Sequence, residues 1–367
     1  AMCRAGFFAG STGLRPQSSK EAFARKSMKL LTALCLALAL TLCAPTGFAQ
    51  KKVDVQVGME EITGSVQDTF AQHFKELITA DIPEWNMEIY PVGVLGDAND
   101  MAEQVMSGVI QFDMPTSHLG SFVPMVRIFG VPYIWSNDME VNKELMTKSK
   151  ALYDILGAAY EKNNMKLLAI FPEGWQYWSS NKPLRKLEDF KNLRIRILAD
   201  PMLAEIYKAY GANPLQVSYS EIYSALQLKQ LDANIQPLFA HEEMSFYEQQ
   251  QYFTNPFEMP FVSTFVANLD WYNTLPQAQK DAIAKAAQAS VAYTIEAADK
   301  MNSERQEKMQ KTRADLVFYQ LTPEEQAPIR AKAPEIEKKF VGMAGPEGQK
   351  LLDALRAERE TLENAKK

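Results

Sequence analysis

The chain has 367 residues and a formal net charge of −6, from 39 basic and 45 acidic side chains. Proteins that bind nucleic acid present a basic face to the phosphates, so this charge argues against a nucleic-acid partner. A small solute or a protein partner is expected instead.

The N-terminus has the pattern of a secretory signal peptide. Lys29 precedes an apolar run at 30–43, and a small-x-small cleavage site ends at Ala49. The run is shorter than the roughly 20 apolar residues of a spanning helix, which argues against an uncleaved anchor. We therefore expect cleavage after Ala49 and a periplasmic product. Residues 1–49, including a segment ahead of Met28 that reflects an upstream start codon or an added sequence, are left out of the fold.

All three cysteines, Cys3, Cys35 and Cys43, lie in this N-terminal segment. A lipoprotein signal needs a small residue before its cysteine, but Leu precedes both Cys35 and Cys43, so no lipid anchor is expected. Cleavage would leave a chain without thiols. Disulfides and thiolate metal sites are then excluded.

The first part of the remaining chain alternates between strand and helix patterns. Apolar and polar residues alternate in the strand segments, and apolar residues recur at helical spacing between them. The predicted elements are a strand at 53–58, a helix at 65–79, a strand at 87–90, a helix at 100–107 and a strand at 109–113. This order predicts a largely parallel sheet with a ligand site at the carboxyl ends of its strands.

A second α/β unit begins near residue 166. Its predicted elements are strands at 166–171 and 193–197 and helices at 201–210 and 220–230. Ser220 is the expected N-cap of the last of these helices. With the first unit, this arrangement predicts two lobes of ordinary domain size.

The segment 276–312 favours one very long helix. It is rich in Ala, Gln, Glu and Lys and lacks Gly and Pro after its first residue. A helix of this length would measure about 50 Å and could span both lobes. The alternative is two shorter helices with a break at 302–303.

No catalytic or metal-binding motif is present. The histidines are His73, His118 and His241, and none has a metal-ligand partner at the required spacing. The zincin-like start at His241 has Ser245 where the second histidine must be. Nucleophile-elbow, phosphate-loop and dinucleotide fingerprints are also missing. No enzymatic activity, cofactor or metal is therefore expected.

Several segments together resemble a known family. The two longest are KLEDFKNLRIR at 186–196 and SEIYSALQ at 220–227 followed by LDA at 231–233. Shorter ones are LGD at 95–97, MAEQ at 101–104 and FYE at 246–248. In order and spacing they resemble the solute-binding proteins of TRAP transporters, the DctP-like family.

The resemblance implies a two-lobed α/β fold of the periplasmic-binding-protein type, with a long helix spanning both lobes. Lobe I would comprise residues 51–173 and 262–301, and lobe II residues 174–261 and 302–367. The lobes would close over a small organic carboxylate and dock on membrane permease subunits. We expect a monomer.

Arg196 is the family's carboxylate-binding arginine by resemblance. Its place near the carboxyl end of a predicted strand agrees with that role, and its planar guanidinium can hold a carboxylate in two hydrogen bonds. Gln176 stands where many relatives have a second arginine, so a second ligand carboxylate would lose its partner. Gln236 keeps an amide where relatives have asparagine.

The remaining candidates are aromatic or polar. Trp175 and Trp178 flank Tyr177, and Tyr219 stands where the family commonly places a pocket aromatic, which favours an aromatic ligand. Glu60 follows the first strand and would attract a ligand ammonium group, and Thr116 completes the candidate set. The ligand is thus predicted to be an aromatic monocarboxylate: a tryptophan-like amino acid, an aryl 2-oxo acid or an arylacetate.

Three other functions remain open from the sequence. The ligand could be a C4-dicarboxylate or another small organic acid. The protein could present its ligand to a sensor in the membrane. A periplasmic enzyme on a binding-protein scaffold is the third alternative.

Overall fold

The computed structural model describes residues 52–366, which form two mixed β-sheets with helices around them. The strands are β1 (Val53–Met59), β2 (Trp85–Tyr90), β3 (Phe112–Met114), β4 (Met165–Trp175), β5 (Tyr177–Ser180), β6 (Arg194–Ile197), β7 (Asn213–Gln216), β8 (Ala233–Gln236), β9 (Tyr252–Asn255), β10 (Pro260–Asn268) and β11 (Val317–Gln320). The helices are α1 (Val66–Asp81), α2 (Ala98–Ser107), α3 (Met139–Lys148), α4 (Gly157–Glu161), α5 (Pro201–Ala209), α6 (Ile222–Gln227), α7 (Leu238–Glu243), α8 (Leu269–Thr274), α9 (Gln277–Thr312), α10 (Pro323–Arg330) and α11 (Ala333–Ala365). Shorter 3₁₀ and π turns connect them.

The first sheet has the strand order β2-β1-β3-β10-β4. β1 is parallel to β2 and β3, as the alternating strand and helix patterns predict. β10 is antiparallel to both of its neighbours, which the sequence patterns did not predict. It runs in the opposite direction because the chain has by then visited the second sheet and returns from it.

The second sheet has the order β11-β9-β5-β8-β6-β7. β6 is parallel to both β7 and β8, so the carboxyl ends of these three strands lie at the same edge. β5 is antiparallel to β8 and β9. The strand ends of the two sheets supply the loops that form the site described below.

The chain crosses from the first sheet to the second at the junction of β4 and β5. Gly174 has a φ of +129° there, and a Cβ atom would lie 2.7 Å from Nδ2 of Asn302. Glycine is therefore required by both the backbone conformation and the close approach of a side chain. The chain returns through β10, whose first residues pair with Gly174 and Trp175.

Helix α9 is one continuous helix of 36 residues, so the predicted long helix is confirmed and the alternative of two helices with a break at 302–303 is wrong. It packs against α1 and β4 around the first sheet and against α7 beside the second. Asn302 lies inside the helix and joins the two parts: its amide donates to the Glu173 carbonyl, and its oxygen accepts from the Phe239 backbone N–H.

Several predicted boundaries shift in the structure, among them the start of β3 and the start of α6. The strand expected at 109–113 is β3, which begins only at Phe112, because Gly108 ends α2 in the left-handed conformation and a turn follows. Ser220 is not an N-cap, because it lies inside a 3₁₀ turn at Tyr219–Glu221 that precedes α6.

The C-terminal helix α11 bends at Gly345, whose φ is +73°. It packs against α3 and the turns at Pro124–Gly130 and Ala151–Leu156, and also against α5. The tail therefore contacts elements of both predicted lobes, and the lobe boundaries stay a prediction. Within residues 52–366, no helix is both long enough and apolar enough to cross a membrane. The predicted signal peptide lies outside the described residues.

Candidate functional site

A cleft of about 410 Å³ lies between the carboxyl-end loops of the two sheets. The lining residues from the first sheet lie at or after the ends of β1, β2 and β3. Those from the second sheet lie at or after the ends of β6, β7 and β8. The polar and aromatic lining residues include Glu60, Glu61, Asn99, Thr116, His118, Arg196, Ser218, Tyr219, Gln236 and Phe261. Strand ends of this kind are where α/β folds place ligands.

Arg196 is a buried cation without an acidic partner among the described residues. Its side chain is 2% exposed, and its Nε donates to the Val217 carbonyl at 3.0 Å. No carboxylate of residues 52–366 lies within ion-pair distance of it, whereas Arg194, two residues earlier, pairs with Asp232 at 2.6 Å. Burial lowers the pKa of Arg196 to about 10, so the guanidinium stays charged at neutral pH. A buried charge without a partner is costly, and a bound anion would remove that cost.

Glu60 lies among hydrogen-bond donors on the first-sheet side of the cleft. Its carboxylate accepts from the backbone N–H of Thr116 at 3.1 Å and from the Thr116 hydroxyl at 3.0 Å. Nδ1 of His118 lies 3.0 Å from the same carboxylate, and Nε2 of His118 lies 3.2 Å from the Ala98 carbonyl. Burial by itself lowers the pKa of His118, but Glu60 and the Ala98 carbonyl outweigh it and raise that pKa above its usual range.

Three further carboxyl groups lie around the floor of the cleft. Glu61 lines it. The Glu173 carboxyl adjoins that of Glu61 and accepts a hydrogen bond from the Ser263 hydroxyl through Oε1, while its buried Oε2 has no hydrogen-bond donor among the described residues. Glu243 accepts a hydrogen bond from the Tyr219 hydroxyl at 2.9 Å. Burial raises the pKa of Glu173 to about 7 and, with the charge of Glu61, raises that of Glu243 to about 8.

Asp113, in β3, is a fully buried carboxyl beneath Glu60. Neither of its oxygens has a well-aligned hydrogen-bond partner among the described residues. Gly58 makes room for it, since a Cβ there would lie 2.7 Å from Asp113 Oδ1. Burial, with the nearby charge of Glu60, raises the pKa of Asp113 to about 8, so this carboxyl is largely protonated at neutral pH.

This raised pKa predicts a pH-dependent effect of Asp113→Asn on stability. The folded state keeps a proton that the unfolded chain loses above about pH 3.9, so the free energy of unfolding falls as the pH rises from there through about 8. Asparagine cannot ionise. We expect the Tm of the variant relative to the wild type to rise by several degrees between pH 5 and pH 9.

Thermal unfolding at the two pH values checks this expectation, with Asp353→Asn as the control, because Asp353 is an exposed aspartate on α11. An equal fall in Tm for the wild type and Asp113→Asn would show that Asp113 ionises freely in the folded protein.

Five of the eight residues predicted for the site line the cleft. They are Glu60, Thr116, Arg196, Tyr219 and Gln236. The structure brings them together although they come from both sheets, since each stands at or just beyond the end of a strand.

The other three predicted residues, Trp175, Gln176 and Trp178, are absent from the cleft lining. Trp178 is fully buried in the core, where its Nε1 donates to the Tyr207 hydroxyl and to Glu258 at 3.2 Å each. Trp175 is half-buried, with its ring edge-to-face against Phe257. Gln176 lies at the crossing between the sheets, where its backbone N–H donates to the Met259 carbonyl. The crossing at Gly174 reorients the chain, so this aromatic segment does not face the cleft.

Glu61, His118 and Phe261 line the cleft but were not predicted. The sequence pattern offers His118 only as a candidate metal ligand. Glu61 had the same sequence signal as Glu60, namely its place after the first strand. Phe261 gave no signal, because it reaches the cleft only through the returning strand β10. Within residues 52–366, no group of three or more His, Cys, Asp or Glu side chains is placed to hold a metal ion.

Comparison with known proteins agrees with this architecture. The model of the DctP family, described as bacterial extracellular solute-binding protein, family 7, matches residues 57–342. The ectoine-binding periplasmic protein TeaA of Halomonas elongata is 32% identical over 306 residues, which cover 83% of this chain and 89% of TeaA. The ectoine/5-hydroxyectoine-binding periplasmic protein UehA of Ruegeria pomeroyi is 29% identical, over 82% and 88% of the two chains.

The fold is also similar to solved structures. The high-resolution structure of the periplasmic ectoine-binding protein from the TeaABC TRAP transporter of Halomonas elongata superposes with a TM-score of 0.82, covering 84% of this chain and all of that one. Proteins of this kind bind small organic solutes and work with membrane permease subunits; they are not enzymes. The chain therefore belongs to the DctP family of TRAP-transporter solute-binding proteins.

Proposed function

We propose that this protein captures a small zwitterionic carboxylate in the periplasm and delivers it to a TRAP permease. The observation that carries the proposal is the separation of charge in the cleft: an unpaired arginine on the second-sheet side and carboxyl groups on the first-sheet side. One chain supplies both sides of the cleft, so a monomer is sufficient.

The anionic end of the solute would bind Arg196. The Nε of this side chain is already used by Val217, so the two terminal nitrogens are left for a carboxylate. Two parallel hydrogen bonds to a carboxylate are the geometry that a guanidinium favours. Gln236, 3% exposed at the end of β8, offers an amide beside it.

The cationic end would bind Glu60 and Glu61. Three donors, two from Thr116 and one from His118, occupy the Glu60 carboxylate, which has about four acceptor positions. One position remains for an N–H group of the solute. An ammonium or amidinium group would supply both the N–H donor and the positive charge, whereas a second carboxylate would be repelled.

The two relatives named above support this solute class. Their names state that they bind ectoine, and ectoine is a cyclic amidine that carries a carboxylate. It thus has both of the charges that the cleft would accommodate. Ectoine or a close analogue is our first candidate.

The aromatic alternative depends on fewer rings than the sequence suggested. Trp175 and Trp178 do not line the cleft, which leaves Tyr219 and Phe261 as its aromatic surface. Tryptophan-like amino acids keep both charges and remain compatible, but aryl 2-oxo acids and arylacetates lack the cation. C4-dicarboxylates would place a second anion beside Glu60 and Glu61.

A thermal-shift panel of ectoine, tryptophan, indole-3-acetate and succinate tests the solute class. A ligand at a hundred times its Kd stabilises the folded state by about 2.7 kcal/mol. We expect a clear rise in Tm with ectoine, a smaller one with tryptophan and none with the other two. Stabilisation by succinate or indole-3-acetate alone would contradict the zwitterion proposal.

Replacing Glu60 by glutamine tests the cationic end directly. Loss of a charged hydrogen-bond acceptor should weaken ectoine binding about 10- to 100-fold. Any residual binding of indole-3-acetate should change much less, because that ligand has no cation. Calorimetric titration measures both affinities, and Glu103→Gln, an exposed glutamate of α2, is the matched control. An equal response of both ligands would remove Glu60 from the recognition of the cation.

A further inference from the structure

The carboxyl groups of Glu61 and Glu173 form a buried pair at the cleft floor. Glu61 is 5% exposed and Glu173 is fully buried. Gln67, at the start of α1, orders both: its backbone N–H donates to Glu61 at 3.1 Å, and its amide donates to the Ser263 hydroxyl at 2.7 Å. Ser263 in turn donates its only proton to Glu173. The donors in this chain of hydrogen bonds are all used elsewhere, so none of them lies between the two carboxyl groups.

No cation in the described part of the chain neutralises the pair. Among residues 52–366, no Lys, Arg or His lies within ion-pair distance of Glu61, Glu173 or Glu243. The basic side chains of this region have other partners: Arg305 and Lys308 pair with Glu242, and His118 pairs with Glu60. The charged or titratable groups that face the pair are Glu60 after β1 and Glu243 at the end of α7, with Tyr219 against Glu243. Arg196 in β6 faces Tyr219 and Glu60.

Two carboxyl groups in buried contact cannot both ionise, so they share a proton. Burial, followed by the charge of Glu173, raises the pKa of Glu61 well above its usual range, and burial raises the pKa of Glu173 to about 7. The proton is therefore present over much of the neutral range. One of the two acids that hold it, Glu61, lines the cleft.

We propose that Glu61 and Glu173 are a specificity-determining pair whose shared proton is displaced by the cationic group of the solute. This inference rests on the proposed function, since it requires a solute with a cation. On binding, an N–H group of the solute takes the place of the shared proton at Glu61. The carboxyl O–H bond breaks, the proton passes to a buffer base, and both carboxylates stay ionised beside the bound cation.

This exchange distinguishes solutes by charge. A zwitterion releases a proton on binding, so its affinity rises with pH, by up to about tenfold per pH unit below the pKa of the pair. A solute that has a carboxylate but no cationic group leaves the proton in place, so its affinity does not rise with pH. The shared proton thus removes one negative charge from the acid-rich cleft while it is empty. The carboxyl groups become fully charged only when a cationic solute binds.

Calorimetric titration with ectoine at pH 6.5, in two buffers of different ionisation enthalpy, measures the protons released. We expect release of about one proton per site in the wild type. Glu61→Gln should abolish the release, because the glutamine N–H replaces the shared proton permanently while Glu173 keeps its charge. Glu103→Gln, which removes an exposed carboxylate, should release as many protons as the wild type. Ectoine binding without proton release in the wild type would overturn the proposal and leave the proposed function intact.

A titration of the ligand-free protein tests the pair without any solute. The difference in proton uptake between the wild type and Glu61→Gln should show one group that titrates well above the ordinary range of a glutamate, whereas the Glu103→Gln control should leave that titration in place. If Glu61→Gln does not fold, Glu173→Gln removes the same shared proton. A difference curve centred near pH 4 would show that no proton is shared. If ectoine fails to bind, the proposed function loses its first candidate solute. The calorimetric comparison is then made with tryptophan. Tryptophan binding without proton release would again overturn the proposed proton displacement.

Discussion

Arg196→Ala is expected to abolish measurable solute binding without destabilising the fold. The guanidinium is buried at the cleft and lacks a carboxylate partner among the described residues, so a solute carboxylate would be its only opposite charge at ion-pair distance. Losing one partner of a buried, hydrogen-bonded charge pair costs about 2 to 5 kcal/mol, which corresponds to a loss of affinity of roughly 30- to several thousand-fold. The free protein loses an uncompensated buried charge, so its Tm should be unchanged or higher.

Arg194→Ala is the matched control, because both arginines belong to β6. Arg194 is 42% exposed and pairs with Asp232, and such a surface pair contributes about 0 to 1 kcal/mol. Ectoine affinity, measured by calorimetry, should be close to that of the wild type in this variant. Similar losses in the two variants would mean that the strand as a whole, and not the Arg196 side chain, is required.

Trp178→Ala is expected to cause the largest loss of stability among the substitutions considered. The indole is fully buried, packs edge-to-face on Phe190 with ring centroids 4.8 Å apart, and donates to Tyr207 and Glu258. Truncating a buried tryptophan costs about 3 to 5 kcal/mol, and the variant also leaves the buried Glu258 carboxyl with one donor fewer. The Tm should fall by roughly 10 °C.

Trp175→Ala separates a core role from a role in binding. Trp175 is half-buried, and the ring that it contacts is Phe257, so its loss should cost less than half as much stability. Denaturant unfolding and calorimetry on both variants decide the point. If Trp178→Ala keeps its stability and loses only solute affinity, the aromatic ligand suggested by the sequence would regain its support.

Local patterns were sufficient for five of the eleven strands and five of the eleven helices of residues 52–366. The 276–312 segment has no Gly or Pro inside it and forms one helix, because helix propensity and apolar spacing act within a few residues of each other. The alternation at 53–58 and the helical spacing at 65–79 were equally reliable, and Ser65 caps α1 by accepting from the Asp68 N–H. The resemblance to the TRAP solute-binding family also lay in contiguous segments, so the family could be predicted before the fold was known.

Residues at strand ends could be placed from the sequence for the same reason. Arg196 and Glu60 line the cleft as their places at predicted strand ends indicate, because parallel strands bring their carboxyl ends to one edge. Gln236, which the family resemblance singled out, lies at such an end too. The tryptophans could not be placed in this way. Alternation fixes the facing of side chains only within one strand, and the left-handed backbone at Gly174 separates β4 from β5, which belong to different sheets.

The sequence by itself thus determined about half of the elements, the family and the strand ends at which a ligand would be bound, since these depend on short-range periodicity and contiguous motifs. Only the tertiary structure decided which charges are paired. Glu61 and Glu173 are 112 positions apart in number, yet their carboxyls are in contact, and Arg196 lacks the aspartate that Arg194 has. The electrostatics of a cleft depend on burial and on partners from distant segments, and no local pattern records either.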